Sequence, residues 1–123
     1  MRTDYLRLPI DADRGFPQAF RLAFNGNTYV VALYVTVTDE AVLAGAEPLE
    51  LPRDGAYLVL DVSEQDGVRT RPIFRRKLVP DLEYEADDLA LVFTRMSVHP
   101  LNLNGSGAFG STVVGGVAAR WAS

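Results

Sequence analysis

Cysteine is absent from the 123 residues, and there is one histidine and one tryptophan. Without cysteine there can be no disulfide scaffold and no thiolate metal site. His99 has no second histidine or cysteine with which to hold a metal or relay a proton. It stands before Pro100 in an extended segment, so a structural role is expected. No apolar run approaches the ~18 residues of a membrane-spanning helix. The opening stretch, MRTDYLRLPIDADRG, is charged, broken by Pro9 and lacks the apolar core of a signal peptide. A soluble protein made in a cytoplasm is therefore expected. A basic surplus is missing too: twelve basic residues face sixteen acidic ones, for a net charge of −4. That argues against generic nucleic-acid binding, where the phosphate backbone demands a basic footprint.

Motifs that carry chemistry are equally sparse. Gly105 to Gly110 satisfies G-x-G-x-x-G, but only thirteen residues follow it and none is acidic. The ribose-binding carboxylate of a dinucleotide site is thus missing, and a glycine-rich loop is the simpler reading. Asp11-Ala12-Asp13 and the acidic run from Asp81 to Asp88 lack the spacing of a calcium loop. No catalytic, cofactor-binding or metal-ligating residues are assigned, and neither an enzyme nor a small-molecule substrate is expected.

What the sequence does contain is strands. From Phe16 to Val37 two alternating runs meet at Asn25-Gly26, a strong hairpin signal. Phe20, Leu22 and Phe24 share one face of the first run, and Tyr29, Val31, Leu33, Val35 and Val37 share one face of the second. The opposite face of the second run, Val30, Ala32, Tyr34 and Thr36, is too apolar for full exposure, so partial cover on both faces is expected. Thr38 to Gly55 reads as a long acidic loop with room for one helical turn at Asp39 to Ala44. Its Gly45, Pro48 and Pro52 forbid more. Tyr57 to Ser63 is a strand, Gln65-Asp66-Gly67 turns it, and Val68 to Leu78 returns. Pro72 in that return demands an edge strand or a bulge. Val79 to Asp88 reads as an acidic connection and Leu89 to Met96 as a further strand. Tyr5 to Leu8 is a possible strand, and residues 113–123 could be strand or helix. The expectation is a single all-β domain over residues 1–123, a small antiparallel barrel or sandwich of five to seven strands with long loops.

Charge is blocky. Arg69, Arg71, Arg75, Arg76 and Lys77 crowd the return strand without an acid among them, and five acids follow between Asp81 and Asp88. The basic strip admits three readings: decoration of an exposed edge against aggregation, an interface strip for acidic surfaces of neighbouring subunits, or nucleic-acid contact. The last is disfavoured because Phe74 is its one aromatic.

Several of these residues recur together in a recognisable order. Leu8-Pro9-Ile10 precedes Phe16-Pro17-Gln18, and a hairpin with Asn25-Gly26 at its tip opens its second arm with Tyr29. Then come Leu58-Val59-Leu60-Asp61-Val62, a turn ending in Asp66-Gly67, and Leu78-Val79-Pro80-Asp81-Leu82. This order resembles the small baseplate proteins of tailed phages, the family typified by the cyanophage baseplate plug protein. The resemblance spans most of Tyr5 to Met96; the acidic insertion from Asp39 to Asp54 and the tail from Asn102 to Ser123 depart from it. It implies a virion component without catalysis or cofactor, present in several copies among other tail or baseplate proteins around a central hub or tube. A stand-alone carbohydrate-binding module, stacking sugars on Tyr34, Tyr57 or Trp121, is the rival reading.

Overall fold

The computed structural model describes residues 5–24, 26–45, 47–86, 89–100 and 111–119. Asn25, Asp87, Asp88, the glycine motif at 105–110 and Trp121 lie outside the described residues. Among the described residues nine strands follow in order: β1 (Leu6–Arg7), β2 (Gln18–Phe24), β3 (Asn27–Val37), β4 (Leu49–Glu50), β5 (Ala56–Asp66), β6 (Arg69–Lys77), β7 (Glu83–Ala86), β8 (Leu89–Val98) and β9 (Thr112–Ala119). They form two antiparallel sheets, one ordered β2-β3-β5-β6. In the other, β1, β9 and β8 are neighbours, and β4 and β7 both pair with the remaining edge of β8. Each sheet keeps open edges among the described residues, so of the two architectures expected from the sequence the structure is a sandwich.

The four-stranded sheet is two hairpins side by side. β2 and β3 join at the Gly26 turn, where φ is +79°, and β5 and β6 join at Gly67, where φ is +61°. Positive φ costs glycine nothing, which is why both tips carry it. β3 and β5 pair over ten consecutive positions in the middle of the sheet. On their shared inner face Tyr29, Val31, Leu33, Leu58, Leu60 and Val62 have no exposed surface. Across the interior they meet Leu89, Leu91, Phe93, Met96 and Val98 of β8 and Val113 and Val117 of β9, all within one core cluster. Full burial of a side chain of this size is worth roughly 1.5–3 kcal/mol relative to exposure.

The segments between hairpins cross from sheet to sheet. Leu8 to Gly15 includes a 3-10 turn (Ala12–Arg14), and the Gln18 amide donates to the carbonyls of Asp11 at 2.9 Å and Gly15 at 3.0 Å. The acidic loop after β3 holds a second 3-10 turn (Glu40–Ala44), capped by the Asp39 carboxylate accepting from the Ala41 N–H at 3.0 Å. It then lends β4 to the far sheet, paired with Ser97 and Val98. β4 and β7 are the strands that fall in segments expected as connections. Of the C-terminal segment, open to either assignment, the described residues form strand β9, and 120–123 lie outside the described residues.

Glycine sets how closely the second sheet can pack. Gly115 of β9 lies opposite Phe93 of β8 on the inner face. A Cβ there would stand 2.6 and 2.8 Å from two atoms of the Phe93 ring. On the outer face, a Cβ on Gly116 would stand 2.7 Å from Tyr5 Cβ. The first obstacle is a ring enclosed by core; the second is a Cβ that moves only with the Tyr5 backbone. Gly115→Ala and Gly116→Ala are therefore each expected to destabilise the protein by about 1–3 kcal/mol, the usual cost of overpacking. Urea denaturation followed by near-ultraviolet circular dichroism measures both.

Candidate interaction surface

The basic return strand is β6, the outer edge of the four-stranded sheet, and Pro72 lies within it. A prolyl nitrogen cannot donate to a ladder, so this sequence can run along an edge but not through a sheet centre. The register against β5 also slips between Val62 and Ser63: Pro72 faces Ser63, Phe74 faces Val62, and Ile73 is the extra residue. Both outcomes that Pro72 permits, edge and bulge, occur together.

The bulge divides the cations. By simple alternation Arg69, Arg71, Arg75 and Lys77 would share one face. The extra residue reverses the parity. Arg75 and Lys77 oppose Asp61 and Val59, on the sheet's outer face, whereas Arg69, Arg71 and Arg76 oppose Asp66, Glu64 and Leu60, on the core side. All five are exposed. Arg71 pairs with Glu64 at 3.1 Å and Arg75 with Asp61 at 3.9 Å, both near the surface. Such pairs contribute on the order of 0.2–1 kcal/mol.

On the outer face the Arg75 guanidinium sits 5.0 Å from the centre of the Tyr34 ring, and the Lys77 ammonium 4.9 Å from that of Tyr57. Val59, between Tyr34 and Lys77 in register, is 8% exposed although it faces away from the core. The partial cover expected over this face therefore comes in part from the chain's own aromatic and cationic side chains. Each cation–π contact is worth about 0.5–1 kcal/mol at such sites.

Next to β6, across the open side of the sandwich, runs β7. Its Tyr84 points inward, stacked on Phe74 with ring centres 6.5 Å apart. The Tyr84 hydroxyl donates to the Lys77 carbonyl at 2.9 Å and accepts from the Val79 N–H at 2.7 Å. One side chain thus ties the end of β6 to the crossover that follows it. Around this tie opens a cleft of about 530 Å³. Its walls are Phe74, Tyr84, Val79 and Leu82, with Arg76 and Lys77 on one rim and Glu83 and Glu85 on the other. Val79 is 41% and Leu82 50% exposed.

Glu83 accepts a hydrogen bond from the Tyr5 hydroxyl, carried on the strand edge at the opposite side of its sheet. The absent side chain of Gly116 leaves Tyr5 room to lie across the outer face. This hydrogen bond, followed by partial burial and the Glu83 charge, holds the Tyr5 hydroxyl above its ordinary value of 10.0. Elsewhere, His99 is buried with its backbone N–H donating to Ser111 Oγ at 2.9 Å. Among the described residues no group of three or more His, Asp or Glu side chains gathers where it could hold a metal, the acids of 81–86 included.

Protein-family models, curated proteins and solved structures were compared with the chain, and none matches. The surface therefore has to be read from its own chemistry. β7 and its Tyr84 tie were missed in the sequence because the density of acids dominated the segment. The signal was there: Leu82, Tyr84 and Ala86 alternate with Glu83 and Glu85.

Two substitutions probe these ties. Tyr84→Phe leaves the Val79 N–H without its partner and should cost about 1–3 kcal/mol in chemical denaturation. The stability supplied by the Tyr5–Glu83 bond is fully present below pH 10, the unfolded hydroxyl's range, and is lost as pH rises through the higher folded value. Tyr5→Phe should lack that alkaline loss, a difference that thermal melts between pH 8 and pH 11 would detect.

Proposed function

We infer that the protein is a structural component of a phage tail or baseplate, held among neighbouring subunits around the central hub or tube and acting by assembly. The observation that carries this reading is β6: an edge strand of nine residues, five of them cations, flanking an apolar cleft with an acidic strand on its far rim. An edge of this kind is protected against random pairing by charge and proline, yet offers a broad surface of defined polarity. Arginine, which supplies four of the five cations, suits buried contacts between proteins better than lysine does. The order of Leu8-Pro9-Ile10, Phe16-Pro17-Gln18, the Tyr29 hairpin arm and the Asp66-Gly67 turn supplies the link to baseplate proteins. Partners are accordingly other tail or baseplate proteins, and the site of action is the virion.

The carbohydrate-binding reading would use Tyr34 and Tyr57 as a platform. These rings do share an outer face, but each already carries a cation of its own chain. A sugar would have to displace Arg75 or Lys77 before it could stack.

Co-expression with the products of the flanking genes, followed by affinity capture and mass spectrometry, tests the proposal. Tail-tube, hub or baseplate proteins should be retained, and the triple substitution R75E/R76E/K77E should reduce their retention at least tenfold. A chain that captures none of these products but binds oligosaccharides through Tyr34 would contradict it.

A further inference from the structure

The open side of the sandwich between β6 and β7 has an internal symmetry of charge. Along one rim stand Arg76 and Lys77, along the other Glu83 and Glu85, and between them lie the exposed apolar side chains of Val79 and Leu82 over the Phe74–Tyr84 stack. The cations come from the edge of one sheet and the carboxylates from the edge of the other, and packed sheets stand about 10 Å apart. A twofold axis through the middle of the cleft would exchange the rims. The basic rim of one copy then meets the acidic rim of its mate, twice, while Val79 and Leu82 of both copies close over the centre.

We propose that this side of the sandwich binds a second copy of the same chain in a twofold-symmetric contact. The inference rests on the assembly reading and names one of its partners. The geometry meets the requirement of an isologous interface, a patch complementary to itself after a half-turn. It also has the usual anatomy of one: an apolar centre, aromatic and arginine side chains, and a charged rim. A neighbour of a single charge sign would match one rim and be repelled by the other, whereas a second copy matches both. Pro72 and the Ile73 bulge interrupt the regular ladder of β6, so side chains rather than continuous strand pairing make the contact. The patch covers the C-terminal part of β6, the crossover after it and the short β7. Its charged rims make the contact strongly dependent on salt.

Sedimentation equilibrium of the full chain, across loading concentrations from 1 to 300 µM, reads the contact. The wild type should dimerise, and raising the salt from 50 to 500 mM should weaken dimerisation at least tenfold. Arg76→Glu cancels the net charge of the basic rim, and Glu85→Lys cancels that of the acidic rim. Each should weaken self-association at least tenfold, and an equimolar mixture of the two should recover a dimer, because the carboxylate introduced at position 76 then faces the ammonium introduced at position 85 and the two unaltered rims face each other. Arg7→Glu, on the opposite edge of the sandwich, changes charge by the same amount and should leave association unchanged. Circular dichroism of each variant confirms that it is folded. A wild type that stays monomeric to 300 µM, a dimer indifferent to both swaps, or swaps that do not rescue each other would overturn the proposal. A monomer that still captures tail proteins in co-expression would refute this contact and leave the assembly reading standing. A rescuable dimer that captures none would do the reverse.

Discussion

The pairing of β3 with β5 governs the rest of the molecule. These two long strands share ten positions, and the middle of their inner face is buried in the core with β8 and β9. A buried central pair needs regular, β-branched and aromatic sequence on both strands, and both have it. Because each is joined to its other neighbour by a tight glycine turn, the remaining arms are forced outward to the rims. β6 therefore becomes an edge by topology, and its proline and cations suit an edge by chemistry. The surface assigned to association is a consequence of where the core lies.

That consequence extends across the sandwich. The second sheet is closed on one side by β1 and on the other by β7 and β4, which divide the edge of β8 between them. β7 ends up beside β6 because the crossover from Leu78 to Leu82 is short and the Tyr84 hydroxyl ties its Val79 N–H to the Lys77 carbonyl at the end of β6. Two oppositely charged segments, adjacent in the chain, are thus displayed on one side of the fold and separated by an apolar seam. Tyr5 braces the same strand across the outer face, so β7 is held by contacts on both faces of its sheet.

Much of this was legible in the residues. Alternation and the glycine turns gave both hairpins and their inner faces, and Pro72 gave the edge and the bulge. Less legible were features that depend on distant partners. β4 is two residues long and exists only because Ser97 and Val98 lie opposite it. β7 alternates correctly, yet its charge made a solvated connection the natural reading until β8 was placed beside it. Whether residues 113–123 were strand or helix stayed open because Gly115 and Gly116 weaken both. What decides it is the Phe93 ring and the Tyr5 side chain, each filling space a Cβ would occupy. The basic strip was visible as a block of charge, but its division between two faces was not. That follows from one extra residue, Ile73, whose effect is to reverse the parity of everything after it.

The central claim is that the β6–β7 side of the sandwich is where other protein surfaces dock. Hydrogen–deuterium exchange, compared between the free chain and the chain captured with its partners, addresses this most directly. The account predicts slowed exchange concentrated in residues 69–85, with the β3–β5 pair equally protected in both states. Unchanged exchange in 69–85, or protection confined to β1, β2 or the 39–55 loop, would contradict it.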